Sequence, residues 1–286
     1  MGGNIEGNIA GARLLCCGLG FCAEALSREL VRAGWQVAAT SRGARSADGI
    51  EFFTFGDEAA LRGATHLLVS APPGEEGDPV LAAYGDKLAH LRWIGYLSTT
   101  GVYGDHGGGW VDEETPLVPA SARGKRRQLA ETQWLAFGHN HAIPTQIFRL
   151  AGIYGPGRNV LDDIRAGTAQ CIERPGQLFG RIHVDDITQV LRAAIAGRSD
   201  LEIFNVCDDL PAASAEVIRY GCELLGVEAP PPVSFETAKM SEMQRSFWSD
   251  NKRVRNNRIK DALGVTLLYP TYREGLESLT NPSAGS

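Results

Sequence analysis

Along the first two hundred residues, the pattern of apolar and polar positions divides the chain into two kinds of segment, which alternate. Short, nearly all-apolar runs alternate with longer stretches whose apolar residues recur at helical spacing. Apolar runs of this length are typical of strands buried on both faces of a parallel sheet. They predict strands at 13–17, 36–40, 51–55, 66–70, 93–98 and 145–151, and the stretches between them predict helices at 23–33, 57–63, 85–91 and 124–137. This alternation predicts a doubly wound α/β fold with helices on both faces of a parallel sheet.

The pattern changes after about residue 210. Prolines cluster at 230–232, and short helical pieces are predicted at 212–225 and 257–263. We therefore expect two parts, with a smaller lobe over the carboxyl edge of the sheet. The expected bounds are 11–155 and 179–210 for a dinucleotide-binding Rossmann domain, 156–178 and 211–280 for the smaller substrate lobe, and 1–10 for a flexible leader without the features of a signal peptide.

Composition narrows the class of protein. The net charge of −6 over 286 residues argues against a dedicated nucleic-acid binder, which is normally basic. No run of 18 apolar residues is present, so no membrane span is expected. The six cysteines have neither disulfide-framework nor metal-site spacing, and no metal constellation is seen. A cytoplasmic location with a small-molecule ligand is the simplest expectation.

A glycine-rich loop follows the first predicted strand and precedes the first predicted helix. Gly18 permits a tight turn, Gly20 lets the backbone approach a pyrophosphate, and Ala23 is small enough for close packing of helix on strand. The helix N-terminus adds amide donors and a positive dipole end. The loop predicts nucleotide binding, with a glycine turn that holds no ligand as the alternative. Cofactor-binding candidates here are Gly18, Leu19, Gly20 and Phe21, with Ser70 and Ala71 at the end of the fourth strand.

Cofactor choice is expected at the end of the second strand. An acidic residue there would accept hydrogen bonds from the ribose 2′-hydroxyl of NAD. The chain instead has Ser41, Arg42 and Arg45, which are donors suited to a 2′-phosphate. These residues predict NADP over NAD, and solvated surface arginines are the alternative.

Two segments form a pair that can be compared with known motifs. Residues 96–104 end a strand and contain Val-Tyr-Gly, and residues 123–131 contain Gly124 and, seven residues later, Glu131. This pair resembles the extended short-chain dehydrogenase/reductase superfamily of epimerases, dehydratases and reductases, whose second motif is Tyr-Gly-x-Ser-Lys-x-x-x-Glu. With Gly124 and Glu131 aligned, Arg123 stands at the tyrosine position and Arg127 at the lysine position. A slipped register restores a lysine at Lys125 but still has no phenol.

Further segments resemble the same superfamily in the same order. They lie at 149–159, 181–187, 204–209 and 269–276, so the resemblance covers roughly residues 12–210 and a closing helix. It implies that Tyr154 lines the pocket beside the cofactor. His183, with Asp185 and Asp186, is expected to cap a helix rather than to bind metal.

The resemblance implies a tyrosine that exchanges a proton with the substrate while hydride moves to or from nicotinamide. Arginine stays protonated at ordinary pH, so Arg123 and Arg127 cannot be general bases and are expected to bind anionic groups. Proton transfer then falls to Thr99 with Tyr103 or His106, or to water. For Thr99, a hydrogen bond to its own turn is an equally good interpretation.

The sequence therefore predicts an NADP-binding, atypical member of this superfamily. As an enzyme it would resemble a nucleoside-diphosphate-sugar epimerase or reductase acting on a phosphate- or carboxylate-bearing small molecule. Thr100 and Gly101 stand where the family's 4,6-dehydratases carry Asp-Glu, which argues against dehydration. The alternatives are a non-catalytic NADP(H)-binding redox sensor or scaffold, and a Rossmann-like domain without nucleotide. Homodimers are common in this superfamily. The basic cluster at 252–260 is interpreted as a solvated helix face rather than a phosphate site.

Overall fold

The computed structural model describes residues 11–280. In chain order the strands are β1 (Arg13–Cys17), β2 (Gln36–Ser41), β3 (Ile50–Thr54), β4 (His66–Val69), β5 (Trp93–Thr99), β6 (Trp110–Val111), β7 (Thr145–Leu150), β8 (Gly152–Tyr154), β9 (Ile172–Glu173), β10 (Arg181–His183), β11 (Ile203–Val206), β12 (Val233–Ser234) and β13 (Arg253–Val254). The α-helices are α1 (Phe21–Arg32), α2 (Pro79–Tyr84), α3 (Ala122–His141), α4 (Val160–Arg165), α5 (Val184–Ile195), α6 (Ser214–Leu225), α7 (Glu242–Ser246), α8 (Asn257–Asp261) and α9 (Tyr272–Thr280).

A seven-stranded parallel sheet organises the chain. Its strand order is β11-β7-β5-β4-β1-β2-β3, and the predicted doubly wound α/β class is confirmed. From β1 the chain builds outward to β2 and β3, and it then returns to build the other half from β4. The loops that follow β1 and β4 therefore diverge, which opens a crevice at the carboxyl edge of the sheet.

Helices cover both faces of this sheet. Leu14 packs in one apolar cluster with Leu26 of α1 and Leu191 of α5, whereas Leu15 packs in another with Trp134 of α3. Consecutive strand residues point to opposite faces, so β1 must be apolar at both positions. This explains why its sequence shows a continuous apolar run.

Two predicted helices differ from the structure. Residues 57–63 form only a short 3-10 helix (Glu58–Leu61), capped by the Asp57 carboxylate, which accepts from the Ala59 amide at 2.9 Å. The helix predicted at 85–91 lies earlier, as α2, and is followed by a 3-10 helix (Gly85–Leu88). Asp78 caps α2 and Pro79 occupies its first position, which is a standard helix start that hydrophobic spacing alone does not reveal.

A third apolar cluster lies in the C-terminal part. It joins α4, α6 and α9 through Leu161, Val217 and Leu276, with Tyr154 from β8. A short parallel pair between β13 and β6 ties residue 253 to residue 110, beyond the end of β5. This pairing holds the late part of the chain against the carboxyl edge of the sheet. Within residues 11–280 no helix combines the length and the apolar character needed to cross a membrane.

Candidate functional site

A cleft of about 610 Å³ lies at the carboxyl edge of the sheet. It is bounded by the start of α1, the ends of β4, β5 and β7, the first turns of α3, and residues 178–181 and 246–254. Of the predicted site residues, the structure brings together Phe21, Ser70, Thr99, Arg123 and Arg127 in the lining of this cleft.

The glycine-rich loop borders this cleft. Gly18 has φ of +85°, and a Cβ atom there would lie 3.1 Å from the Ala71 amide nitrogen, so only glycine fits without strain. A Cβ atom on Gly20 would lie 3.2 Å from the Ser70 hydroxyl oxygen. Gly20 also caps α1 without a side-chain hydrogen bond, which leaves the first helix amides to other acceptors. This is the backbone cradle that an anionic group requires.

The segment after β2 packs beside that loop. The Arg45 Nη1 atom donates to the Leu19 carbonyl at 2.5 Å, and the Arg45 guanidinium lies 3.5 Å from the Glu24 carboxylate. The Ser41 hydroxyl donates to the Gly43 carbonyl at 2.7 Å, while Arg42 is exposed. Arg45 therefore ties the segment to the loop and leaves Arg42 facing solvent at its edge.

Thr99 and Arg123 meet because α3 approaches the end of β5 closely. A Cβ atom on Gly124 would lie 3.1 Å from the Gly101 carbonyl oxygen, so a larger residue would push the helix away. Ser121 caps α3 by accepting from the Gly124 amide at 3.0 Å. The Thr99 hydroxyl accepts from the Gly101 amide at 3.1 Å, as the turn interpretation predicted, and its own hydrogen stays available to a ligand.

Arg123 and Arg127, which are predicted to stand at the tyrosine and lysine positions of the motif, differ in their surroundings. The Arg127 Nη1 atom donates to the Leu97 carbonyl at 2.6 Å and to the Tyr96 hydroxyl at 3.0 Å, so this side chain is largely engaged with β5. The Arg123 guanidinium lies 5.4 Å from the centre of the Phe247 ring. Partial burial, with the charges of Arg127 and Arg158, lowers the pKa of Arg123 below its usual value, and it remains a cation at neutral pH. Arg123 is therefore the one of the pair better placed to contact a ligand.

Tyr103 and His106 do not line the cleft. The Tyr103 hydroxyl is fully buried, donates to Asn205 Oδ1 at 2.8 Å and accepts from the Arg149 guanidinium at 2.9 Å. Burial raises the pKa of Tyr103 to about 12. The His106 Nε2 atom lies 3.1 Å from the Tyr103 carbonyl oxygen. Neither side chain lies where it could exchange a proton with a molecule in the cleft.

Tyr154 is placed away from the cleft as well. Its ring packs edge-on against His183, with the ring centres 5.1 Å apart, in the C-terminal apolar cluster. The imidazole of His183 caps α5 by accepting from the Asp185 amide at 3.2 Å, as predicted.

Glu131, which set the register of the motif, anchors a buried network. Its carboxylate accepts from the Ser98 hydroxyl at 2.5 Å and from the Arg149 guanidinium at 2.8 Å. Arg149 in turn reaches Tyr103. The network links α3 to β5 and β7 directly beneath the cleft and so fixes the position of Thr99.

Three further cations line the cleft that the sequence did not identify as site residues. Arg158 lies 5.7 Å from the Phe21 ring centre, and the Arg181 Nη1 atom donates to the Phe179 and Ala212 carbonyls at 2.9 and 3.0 Å. Lys252 has a side chain only 11% exposed, so the interpretation of a solvated helix face was wrong for this residue. Arg158 and Arg181 lie in the segments at 149–159 and 181–187, whose resemblance to the superfamily could have marked them as candidates. The sequence does not show that their side chains enter the cleft, because side-chain direction depends on tertiary packing.

Asp208 lies buried close to Arg181, and this leads to a prediction about stability. Asp208 is 3% exposed, and neither carboxylate oxygen has a hydrogen-bond partner among residues 11–280. Burial raises the pKa of Asp208 to about 8, against the opposing effect of Arg181. Between its unfolded pKa of about 3.9 and pH 8, the folded state holds a proton that the unfolded state has lost, so stability falls as pH rises.

We expect Asp208→Asn to remove this decrease in stability with rising pH. Relative to wild type, its free energy of unfolding should rise between pH 5 and pH 8 by up to about 1.4 kcal/mol per pH unit. Urea unfolding at several pH values measures it, and Asp200→Asn, at an exposed aspartate, is the matched control. Parallel pH profiles for wild type and Asp208→Asn would contradict the prediction.

Comparison with solved structures identifies related folds. A functionally unknown conserved protein from Silicibacter pomeroyi DSS is 50% identical, with a TM-score of 0.89 over 94% of this chain and 98% of that chain. The chain belongs to the family of that protein. No protein-family model and no curated protein sequence matches the chain significantly.

More distant structures share the fold alone. A UDP-glucose 4-epimerase from Thermotoga maritima with UDP-glucose is 16% identical, with a TM-score of 0.77 over 93% of this chain and 96% of that chain. A UDP-glucuronic acid 4-epimerase from Bacillus cereus in complex with NAD is 16% identical, with a TM-score of 0.75 over 93% of this chain and 94% of that chain. The resemblance to the extended short-chain dehydrogenase/reductase superfamily is thereby confirmed at the level of the fold.

Proposed function

We propose that the chain is an NADP-dependent reductase or epimerase that acts on a small molecule bearing a phosphate or a carboxylate. The observation that carries this proposal is the cleft itself, where a phosphate-type glycine loop and Thr99 open onto a strongly cationic lining. The lining cations are Arg123, Arg127, Arg158, Arg181 and Lys252, and among the described residues the lining carboxylate that opposes them is Asp250. An excess of cations in a partly enclosed cleft favours an anionic ligand.

The residues present fit a nicotinamide dinucleotide. Gly18 and Gly20 leave space where side chains would block a diphosphate, and the uncapped start of α1 supplies amide donors. The residues proposed to hold the cofactor are Gly18, Leu19, Gly20, Phe21, Ser70 and Ala71, with Ser41, Arg42 and Arg45 at the 2′-phosphate. When bound, the nicotinamide supplies or accepts a hydride.

Nucleoside-diphosphate sugars are the first substrates to test. The Thermotoga maritima structure contains UDP-glucose, and a Bacillus cereus structure of the same fold contains UDP-glucuronic acid and NAD. Both molecules carry a diphosphate, and the second also carries a carboxylate, so both match the cationic lining of this cleft. NADPH consumption over a panel of sugar nucleotides and small carbonyl compounds tests the reductase. An epimerase returns the hydride to its substrate and consumes no net NADPH, so conversion of a sugar nucleotide into its epimer, followed by NMR, tests the epimerase.

A non-catalytic NADP(H) sensor or scaffold is the second candidate. The observation that favours it is the position of Tyr103 and His106 outside the cleft, and the predicted place of Arg123 at the tyrosine position of the motif supports it. Tight NADPH binding without turnover across the whole panel would support the sensor and contradict the enzyme. A melting temperature that NADPH does not raise would contradict both.

Arg42→Ala is expected to weaken NADPH binding about 10-fold and to leave NADH affinity unchanged. An exposed arginine at this position can pair with a 2′-phosphate, which NADH lacks, and a charge-assisted contact contributes about 1.5 kcal/mol or more. Fluorescence titration with both cofactors measures the difference, and Arg62→Ala, at another exposed arginine, is the control. Equal wild-type affinity for NADH and NADPH would overturn the preference for NADP.

A further inference from the structure

A lysine from the C-terminal part of the chain enters the cleft beside an aspartate. Lys252 Nζ lies 3.2 Å from Asp250 Oδ2, and their side chains are only 11% and 14% exposed. The same Nζ atom donates to the Gly104 carbonyl at 3.0 Å. Gly104 ends the turn that begins at Thr99, so the ammonium group is attached to the segment that carries the predicted catalytic threonine.

The segment that carries Lys252 is held on two sides. The Asn251 carbonyl accepts from the amides of His106 and Gly108 at 3.1 and 2.8 Å, and the Asn251 amide donates to Asp105 Oδ1 at 2.8 Å. From the other side, Gln177 Nε2 donates to the Asp250 carbonyl at 2.7 Å. Lys252 is therefore held in place before any ligand binds.

A glycine allows residues 251–253 to lie against the loop at 107–109. Gly108 has φ of +83°, and a Cβ atom there would lie 2.9 Å from the Arg253 guanidinium and 3.2 Å from the Asn251 side chain. The loop of three glycines at 107–109 is thus the surface against which residues 251–253 pack. The loop that the sequence suggested as a source of a proton donor instead positions a lysine from elsewhere in the chain.

Few groups in the cleft lining can release a proton. The lining arginines cannot do so at ordinary pH, and burial raises the pKa of the Cys22 thiol to about 11. Thr99 has a hydroxyl, which needs a partner to act as an acid. Lysine is an ammonium ion at neutral pH, with three hydrogens, of which Gly104 and Asp250 accept two.

We propose that Lys252 Nζ is the proton donor of this site and takes the role that the family's tyrosine has elsewhere. This role rests on the proposed reductase. A nicotinamide dinucleotide is the reductant and adds hydride to the carbonyl carbon. The N–H bond of Lys252 breaks as an O–H bond forms on the carbonyl oxygen, so the carbonyl becomes an alcohol and the ammonium becomes a neutral amine that solvent protonates again.

The surroundings of Lys252 agree with this role. Burial lowers its pKa below the usual value, which makes the ammonium a better acid, while Asp250 and Asp105 oppose that shift and keep the group charged. Asp250 is also positioned to stabilise the ammonium each time it forms again. The other titratable group on the loop that carries Asp105 is His106, the next residue in the chain.

Replacement of Lys252 tests the proposal directly. Lys252→Met should still bind NADPH, because Lys252 is not among the residues proposed to hold the cofactor, and it should lose about 100-fold or more in kcat, the usual size of a general-acid contribution. Lys252→Arg keeps the charge but donates no proton, so it should be as slow as Lys252→Met. Lys260→Met is the matched control, because Lys260 also pairs with an aspartate, Asp209, but lies outside the cleft lining.

A second measurement does not depend on turnover. The chain has five lysines, so the pH dependence of acetic anhydride labelling can be followed for each by peptide mass spectrometry. Lys252 should titrate below the ordinary lysine pKa of about 10.4, because burial disfavours its charged form. Titration of Lys252 at or above that ordinary value would overturn the proposal.

The kinetic results distinguish a failure of the proposed role of Lys252 from a failure of the proposed reductase activity. Wild-type kcat in Lys252→Met, or a rate restored by Lys252→Arg, would show that the protein is an enzyme but that Lys252 is not its proton donor. Wild-type protein that binds NADPH yet turns over nothing in the panel would overturn the proposed reductase, and this role with it.

Discussion

Glu131→Gln is expected to lower the free energy of unfolding by about 3–5 kcal/mol. The side chains of Glu131 and Arg149 are 4% and 3% exposed, and Arg149 donates to the same carboxylate oxygen through Nη2 at 2.8 Å and Nε at 3.2 Å. Glutamine preserves the size of the side chain and its hydrogen-bonding oxygen. It leaves the guanidinium buried without a counter-charge, and that is the costly change. Urea unfolding monitored by circular dichroism measures the loss.

A surface pair provides the control. Glu58→Gln breaks the Glu58–Lys87 ion pair, whose side chains are 64% and 53% exposed, and should cost less than about 1 kcal/mol. The double replacement Glu131→Met with Arg149→Met removes both charges and should recover part of the loss. A cost for Glu131→Gln no larger than that for Glu58→Gln would contradict a stabilising role for the buried pair.

Arg123→Ala is expected to weaken binding of UDP-glucuronic acid by about 10–100-fold. One charge-assisted hydrogen bond contributes about 1.5–3 kcal/mol, and Arg123 is the motif arginine that is not engaged with strand β5. UDP-glucuronic acid is a suitable probe because it carries both a diphosphate and a carboxylate. Isothermal titration calorimetry with the protein saturated in NADPH measures the change.

Arg126→Ala is the matched control on the same helix. It removes an equal charge three residues further along, but Arg126 pairs with Glu75 at 2.8 Å and does not line the cleft. Equal losses in the two variants would indicate a general effect of net charge rather than a contact. Wild-type affinity in Arg123→Ala would remove this arginine from the binding site.

The glycine loop and the altered motif could be placed from the sequence because both depend on local order. A strand, a glycine turn and a helix follow one another within residues 13–32, and their geometry is set by near neighbours in the chain. The arginines at 123 and 127 are four residues apart on helix α3, so their side chains lie on the same face of the helix, and both line the cleft.

The positions of the proton-transfer candidates depend on contacts with residues far away in the chain, which the local sequence does not predict. Tyr103 follows the end of β5, but Arg149 and Asn205, which bind its hydroxyl, are 46 and 102 residues away in the chain. Lys252 is 148 residues from Gly104, its hydrogen-bond acceptor. No periodicity reports such distant pairings, because they form only when β7 and β11 join β5 in the sheet and when β13 pairs with β6.

By itself the sequence determined the main strands of the parallel sheet, their alternation with helices, and the glycine loop, because apolar spacing and backbone conformation are local properties. It also predicted that Arg123 and Arg127 stand at the tyrosine and lysine positions of the motif that it resembles. Only the tertiary structure decided which side chains share the cleft: it buried Tyr103 in a network with Arg149, engaged Arg127 with β5, and brought Lys252 to the end of that strand. The physical reason is that side-chain burial and hydrogen bonding are set by contacts between residues far apart in the chain.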